Sequence, residues 1–154
     1  MAPRKKLNSG GISIRLASAE DVPDVSRIGG QSFPGSDVSE EKTISRLKAG
    51  HVIFIAEMEG EIAGFIDTKL ALTSVRVLGF ATDSRFRGKG VGTALLEHAI
   101  RFARDSGKIS VRLRVAARNL RALNLYRKLG FIVIKRRARI DGRAIYTMAR
   151  NFET

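Results

Sequence analysis

Arg85-Phe-Arg-Gly-Lys-Gly-Val-Gly92 is the stretch that decides the fold of this 154-residue chain. It follows an apolar, strand-like run from Val75 to Thr82 and leads into an amphipathic helix pattern that begins near Val91. Glycines at alternate positions remove side chains from a short turn, so backbone N–H groups can approach a ligand closely. The first N–H groups of a helix lack acceptors and favour negative charge. Since Arg87 and Lys89 add two cations, the stretch predicts a cradle for a phosphate or pyrophosphate group.

Two common nucleotide-binding patterns do not fit this turn. The Walker pattern needs Gly-Lys followed by Ser or Thr, whereas Gly90 follows Lys89. The dinucleotide pattern G-x-G-x-x-G fails as well, because the glycines stand at 88, 90 and 92. Taken alone, the stretch leaves an ordinary loop as the alternative.

A second motif follows in the run Asn119-Leu-Arg-Ala-Leu-Asn-Leu-Tyr-Arg-Lys-Leu-Gly-Phe131. Together with Arg87-x-x-Gly90-x-Gly92 it resembles the GNAT superfamily of acetyl-CoA-dependent N-acetyltransferases. The first motif matches that family's Q/R-x-x-G-x-G/A turn for the CoA pyrophosphate, and the second matches its N-x-x-A-x-x-L-Y-x-x-x-G-F segment. The resemblance extends from Ile12 to the C-terminal strand. The second motif is most similar to the branch that acetylates protein N-termini, including those of ribosomal proteins.

The apolar periodicity predicts the element order β-α-α-β-β-β-α-β-α-β-β, with no repeat. The resemblance implies a mixed α/β (α+β) GNAT fold: a central, mostly antiparallel, splayed sheet of about seven strands flanked by about four helices. It also implies that acetyl-CoA lies between the strands ending near Thr82 and Val115. We expect residues 12–154 to form one domain and residues 1–11 to form a disordered basic tail.

Composition excludes several classes of function. The chain has no cysteine, which rules out disulfides, thiolate metal sites and an acetyl-cysteine intermediate, so acetyl transfer would be direct. Two isolated histidines predict no metal site. No apolar run approaches the 18 or so residues that a membrane span needs, and the N-terminus does not resemble a signal peptide. We therefore expect no membrane association and a cytoplasmic location.

The positive charge is concentrated in the part of the chain that contains both motifs. Residues 85–150 hold 18 of the 28 Lys and Arg residues and 3 of the 15 Asp and Glu residues. The phosphates of CoA account for part of this excess. The remainder indicates either proximity to RNA, DNA or the ribosome, or a generic Arg-rich surface. The run Lys135-Arg136-Arg137 leaves the same two alternatives, and no interleaved aromatic residues support base stacking.

The resemblance assigns roles to individual residues. The pantetheine arm of CoA would pair with the strand at Phe80, Ala81 and Thr82, and a backbone N–H near Thr82 would stabilise the oxyanion. Asn119 would contact the cofactor, although the same residue is a good helix N-cap. The pyrophosphate would be held by the turn, at Arg87, Gly88, Lys89, Gly90, Val91, Gly92 and Thr93.

Tyr126 is the candidate general acid. The matching tyrosine of the family lies close to the thioester, where it would also contact the cofactor and return a proton to the departing thiolate. A phenol of pKa about 10 and a thiol of pKa about 8.5 differ by roughly 2 kcal/mol, which makes this transfer feasible. The alternative is that Tyr126 is a core aromatic residue of its helix.

The general base is the point at which the chain departs from the family pattern. In the N-terminal acetyltransferase branch a glutamate often stands five residues before the motif asparagine, and here that position is Arg114. A second glutamate position aligns with Arg76. Asp67, Glu57 and Asp83 remain as possible bases, and none has the matching position.

A base-poor, cationic site favours an acceptor amine of low pKa. An α-amine titrates near 7.7–8.0 and lysine near 10.4, a difference worth about 3.5 kcal/mol of deprotonation. Neighbouring arginines would lower the pKa of the amine further. We therefore expect a protein or peptide N-terminus as acceptor, with a small amine or lysine as the alternative. A CoA-binding or nucleic-acid-associated module without turnover is the rival class, and the sequence gives no indication of oligomeric state.

Overall fold

The computed structural model describes Leu7, residues 10–139 and residues 141–152. Residues 1–6, 8 and 9 of the predicted basic tail lie outside the described part. The elements follow the predicted order, with two extra 3₁₀ turns at Ala19–Asp21 and Ser84–Phe86. Their bounds are β1 Ile12–Leu16, α1 Val22–Ser32, α2 Glu40–Lys48, β2 Val52–Met58, β3 Glu61–Leu70, β4 Ser74–Thr82, α3 Val91–Asp105, β5 Ser110–Ala116, α4 Leu120–Lys128, β6 Ile132–Ala138 and β7 Ala144–Asn151.

All seven strands form one sheet in the order β1-β2-β3-β4-β5-β7-β6. Within the described residues, β4 and β5 are the single parallel pair, and every other neighbouring pair is antiparallel. The Glu59-Gly60 hairpin turn has positive φ at both residues (54° and 77°), which suits the twist of the β2–β3 pair. The predicted mixed, mostly antiparallel seven-stranded sheet with four helices is confirmed.

Helices cover the two faces of the sheet unequally. The larger apolar cluster lies under α3 and α4 and includes buried residues of β4 and β5 such as Val75, Val77 and Leu113. The smaller cluster joins α1 to β2, β3 and the end of β4, where Ala81 is buried. On that second face β5 carries exposed arginines, so the sheet from β5 to β6 stays open there.

The sheet opens between β4 and β5. Their parallel pairing runs from Ser74–Ser110 to Val77–Leu113 and goes no further. Beyond that point β4 continues on β3 as far as Thr82, while β5 continues on β7 as far as Ala116. The two strands therefore separate after Val77 and Leu113, and the opening extends to Thr82 on β4, the region that the resemblance implied.

A β-bulge in β4 marks the start of this opening. Asp67 of β3 pairs with Gly79 and Thr68 pairs with Val77, so Leu78 has no partner on β3. An extra residue reverses which face the following side chains occupy. Val77 packs under α3, whereas Ala81 packs on the α1 side. The bulge thus turns the last part of β4 relative to β5.

Gly64 of β3 allows this strand to lie close to β4 and α3. A Cβ atom built on Gly64 would be 2.6 Å from the carbonyl oxygen of Ala81 and 3.0 Å from Cγ1 of Val91. Contacts this short do not occur for real side chains, so only glycine fits here. The position was not singled out in the sequence, because nothing local distinguishes it from other strand glycines.

Candidate active site

The glycine turn between β4 and α3 forms an open cradle. Gly88 and Gly90 have φ values of 78° and 86°, a region that glycine adopts without strain. A Cβ atom on either residue would have no neighbour within 4 Å, so the space beside the turn is free for a ligand. Gly90 is the N-cap of α3, and its carbonyl accepts the N–H of Ala94 at 3.0 Å. The N–H groups of Val91, Gly92 and Thr93 therefore have no acceptor within the helix.

Two predicted cations flank this cradle. The turn is fixed by the buried ring of Phe86, and the Nζ atom of Lys89 lies 5.7 Å from the centroid of that ring. Arg87 is exposed and has no ion pair among the described residues. Arg85, by contrast, is engaged with Asp83 at 3.1 Å and with Glu61 at 3.3 Å. Arg87 and Lys89 are thus the side chains of the turn left to meet an anion.

Asp83 connects the start of the glycine turn to α1 through hydrogen bonds. Its fully buried carboxylate accepts hydrogen bonds from Arg27 of α1 at 2.9 Å and from the Arg85 guanidinium at 3.1 Å, and it accepts the Arg85 backbone N–H at 3.0 Å. The paired guanidinium of Arg85, more than that of Arg27, holds the pKa of Asp83 well below its usual range. The contact with Arg27 joins residues 56 positions apart, which sequence periodicity could not reveal.

The last residues of β4 present backbone groups to the opening in alternation. The N–H of Asp83 donates to the carbonyl of Ala63 on β3 at 2.7 Å. Because hydrogen bonds alternate along an antiparallel strand, the N–H groups of Phe80 and Thr82 point away from β3 and into the opening. The N–H of Ala81, two residues before Asp83, points towards β3 as that of Asp83 does. Of the three residues predicted for the pantetheine arm, Phe80 and Thr82 have backbone donors free.

Tyr126 of α4 reaches the same opening. Its ring is buried, with centroids 6.1 Å from Phe80 and 5.9 Å from Phe131. Burial raises the pKa of Tyr126 to about 12, so the phenol stays protonated at neutral pH and gives up its proton less readily than a free phenol. No described residue hydrogen-bonds to the hydroxyl, and this atom is not among the fully buried polar atoms without a partner. The hydroxyl group therefore retains some exposure at the edge of the core.

Asn119 and Gly92 support this arrangement. The side-chain oxygen of Asn119 accepts the N–H of Ala122 at 3.2 Å and caps α4, so the N-cap role is present. A Cβ atom on Gly92 would lie 3.4 Å from the Phe80 ring and 3.9 Å from Leu125. The first turn of α3 thus lies against Phe80, which contacts Tyr126.

The three carboxylates considered as bases all have partners. Asp83 is ion-paired, as described above, and Glu57 is bonded to Arg15 of β1. Asp67 lies 2.8 Å from Nδ1 of His51, and burial raises its pKa. None of the three lines either of the two grooves described in the next paragraph, and the structure singles out no carboxylate base.

Two grooves adjoin the opening on the face opposite α3. The first, which we call the basic groove, has a volume of about 510 Å³. Its lining is Arg76, Val77, Leu78, Arg112, Leu113, Arg114, Lys135, Arg137, Ile145 and Thr147. The second, of about 460 Å³, lies between the end of β5 and the β6–β7 turn and shares Arg114 and Ile145 with the first. Arg76 and Arg114, the positions aligned with the expected glutamates, therefore lie together on one face.

Comparison with known proteins agrees with this geometry. Residues 22–131 match the profile of the Acetyltransferase (GNAT) family. The chain belongs to the GNAT family of acetyltransferases. It is 26% identical over 162 residues to an N-alpha-acetyltransferase of Sulfolobus acidocaldarius, covering 95% of this chain and 94% of that protein. It is 31% identical over 152 residues to an N-alpha-acetyltransferase of Sulfurisphaera tokodaii, with coverages of 88% and 90%.

A solved GNAT structure extends the likeness to three dimensions. The ribosomal-protein-S18-alanine N-acetyltransferase from Escherichia coli superposes with a TM-score of 0.80 at 27% sequence identity, covering 93% of this chain and 95% of that one. This GNAT chain is accordingly an N-acetyltransferase of a family that uses acetyl-CoA. No helix in the described part is long and apolar enough to cross a membrane. No group of three or more metal-ligating side chains is found among the residues searched.

Proposed function

We propose that this GNAT enzyme transfers acetyl from acetyl-CoA to the α-amine of a protein or peptide N-terminus. The observation that carries the proposal is the opening between β4 and β5, with a protonated Tyr126 on one side and a cationic groove without a carboxylate on the other. The two relatives named N-alpha-acetyltransferase and the S18-alanine enzyme support the same acceptor class.

The residues present fit CoA. An open glycine turn at the start of α3 suits a pyrophosphate, because its N–H groups have no other acceptor. In this proposal the turn from Arg87 to Thr93 holds the pyrophosphate, with the side chains of Arg87 and Lys89 as counter-charges. The free edge of β4 at Phe80 and Thr82 pairs with the pantetheine arm. Asn119, the N-cap of α4, contacts the cofactor with the part of its amide that does not cap the helix.

Acetyl-CoA supplies the activated acetyl group as a thioester, and the chain supplies donors on both sides of it. Tyr126 gives its proton to the thiolate that leaves, and the proton that the amine nitrogen loses returns to the phenolate through solvent. The N–H of Thr82 is the proposed oxyanion donor, and the N–H of Phe80, which also points into the opening and lies beside Tyr126, is the nearest alternative. Loss of one such donor typically costs about 3 kcal/mol in the barrier.

The proposed acceptor follows from the absence of a carboxylate in the grooves. An α-amine with a pKa near 7.7–8.0 is about one-tenth neutral at pH 7, and the arginines of the basic groove lower the pKa of a bound amine further. Lysine, with a pKa near 10.4, needs about 3.5 kcal/mol more to lose its proton. A cytoplasmic location remains part of the proposal.

The test is to follow thiol release from acetyl-CoA with free-N-terminus peptides, N-blocked lysine peptides and polyamines. We expect release with the first class, together with a mass increase located on the α-amine. Turnover with lysine peptides or polyamines at a higher kcat/KM would replace the proposed acceptor. No turnover with any acceptor, despite thermal stabilisation by CoA, would favour a binding module.

A further inference from the structure

The five cations of the basic groove have no counter-charge among the residues that the structure describes. Among the described residues, no ion pair or hydrogen bond engages their side chains, and no acidic residue lines the groove. Other arginines do have carboxylate partners: Arg15 pairs with Asp21 at 2.7 Å, and Arg27 pairs with Asp83 at 2.9 Å. The five unpaired residues are Arg76, Arg112, Arg114, Lys135 and Arg137.

The positions of these cations disfavour the folded state. Arg76 and Arg112 are directly opposite each other in the β4–β5 register. Like charges at such a position destabilise a sheet. Arg114 and Lys135 both pair with Thr147 of β7, one from each side, so the same face carries a second row of positive charge. Because no described residue compensates these exposed charges, a ligand with carboxylate groups would relieve the repulsion between them.

The groove begins where the proposed chemistry takes place. Val77 and Leu113 are the last residues that pair β4 with β5, and both line the groove together with Leu78 of the bulge. An amine that reaches the opening from the face opposite α3 therefore leaves the rest of its molecule in the groove. Because β7 lies between β5 and β6, two strand spacings of about 4.8 Å separate these strands. About three residues of an extended peptide span that distance.

We propose that the groove binds an acidic N-terminal segment, so that this enzyme prefers acceptors with Asp or Glu in the first four positions. The inference rests on the proposed function, since it describes the acceptor of the same site. Arg112 and Arg114 lie beside the first residues of such a segment, and Lys135 and Arg137 lie beside the third and fourth. Binding brings carboxylates to a groove whose charged lining residues, among those described, are all positive.

Two features favour a peptide over a nucleic acid. The side chains that line the groove include no aromatic residue, whereas surfaces that bind single strands use aromatic rings to stack bases. The groove has a volume of about 510 Å³, which is in the range of pockets for small ligands and short segments. Thr147 and Ile145 form a narrow floor between the basic residues of β5 and β6.

The experiment compares two peptides of equal length with free N-termini. One begins with Ser-Glu-Asp-Glu and the other with Ser-Gln-Asn-Gln, and each is labelled at its C-terminus. Binding in the presence of CoA is measured by fluorescence anisotropy at low salt, and acetylation is measured as kcat and KM. The test variant is Lys135→Gln with Arg137→Gln. The matched control, Arg101→Gln with Lys128→Gln, removes two exposed charges from the α3–α4 side of the sheet. A single-stranded oligonucleotide serves as competitor.

We expect about tenfold tighter binding and a lower KM for the acidic peptide, at similar kcat, because two or three exposed charge pairs each contribute a few-fold. The test variant should lose most of this preference, while the control keeps it. Equal affinity for both peptides overturns the inference, and so does an oligonucleotide that displaces the acidic peptide at lower concentration. Selective binding of the acidic peptide without turnover of either one supports the groove and counts against the proposed function instead.

Discussion

Tyr126 and Phe80 contact each other edge to face, with ring centroids 6.1 Å apart and planes inclined at 65°. This contact joins α4 to β4 at the opening, because Phe80 belongs to the strand segment beyond the bulge. Gly92 of α3 lies beside the same Phe80 ring. The candidate acid is thus held by the same strand that offers free backbone donors to a cofactor. The Phe80 ring and the free backbone donors both belong to the part of β4 that follows the bulge.

Substitution of the candidate acid separates packing from chemistry. Tyr126→Phe keeps the ring and its contacts, so we expect the melting temperature and the affinity for CoA to stay close to wild type. Removal of the proton donor should lower kcat by about 100-fold. Thiol release under saturating acetyl-CoA measures the effect. Tyr146→Phe, on β7, is the control and should retain full activity; unchanged kcat in Tyr126→Phe would show that the phenol is not the acid.

The pH dependence of the rate follows from two groups. Burial raises the pKa of Tyr126 to about 12, which extends the range of its protonated, active form upward. The acceptor α-amine must be neutral and titrates near 7.7–8.0. We therefore expect kcat/KM to rise up to about pH 8.5 and then stay level to pH 10. A decline between pH 8.5 and 10, in enzyme shown to be folded by circular dichroism, would indicate an acid of lower pKa than Tyr126.

Gly64 is predicted to tolerate no side chain. Gly64→Ala places a Cβ atom 2.6 Å from a backbone oxygen of β4, which cannot move without disturbing the strand. Overpacking of this kind costs about 2–3 kcal/mol, measurable as a lower urea midpoint. The matched control is Gly30→Ala in α1, where the nearest atom is 3.8 Å away and alanine is a better helix former. A Gly64→Ala protein as stable as wild type would mean that β4 and α3 can move away from β3 without loss of stability.

Asp83→Asn should destabilise the protein in a pH-dependent way. The variant loses the charge that Arg27 and Arg85 share, and we expect about 2 kcal/mol of lost stability at pH 7. Because the pKa of Asp83 is lowered in the folded state, its contribution is present above the unfolded value near 3.9 and declines as the pH falls below it. Urea unfolding at pH 7 and pH 3 measures both differences. A gap between wild type and variant that widens at pH 3 would contradict this assignment.

Neutralising one arginine of the basic groove should stabilise the fold. Arg76→Gln removes the like charge opposite Arg112, and we expect a gain of about 0.5 kcal/mol at low salt. The gain should shrink at 1 M salt, because exposed charges are screened over about 3 Å there. Thermal unfolding at both salt concentrations checks the prediction. Loss of stability in Arg76→Gln would show that the side chain has a structural role.

Local patterns were sufficient for the order of elements. Short local patterns mark several boundaries: Ser18 and Asp21 form the capping contact before the first helical turn, Glu59-Gly60 forms the hairpin turn, and Gly130 follows the end of α4. Ser39 caps α2, which ends two residues before Gly50. The buried positions of α1, Val22, Val25, Ile28 and Gly29, recur at helical spacing.

The pairing of distant side chains could not be predicted in the same way. The ion pair between Arg27 and Asp83 joins elements that are far apart in sequence, and charged residues give no periodic signal. The partners of Glu57 and Asp67 likewise became evident only when β1 and the residue before β2 were placed beside them. The sequence therefore left three possible bases, and the fold engages each of them.

The sequence by itself determined the family, the order of strands and helices and the glycine turn, since these depend on short-range conformational preferences and on contiguous motifs. Only the tertiary structure decided where β4 and β5 separate, because the bulge at Leu78 depends on the register with β3. It also decided that cations from β4, β5 and β6 share one open face. Charges spread over 60 residues become one groove because sheet register, and not sequence distance, sets which side chains are neighbours.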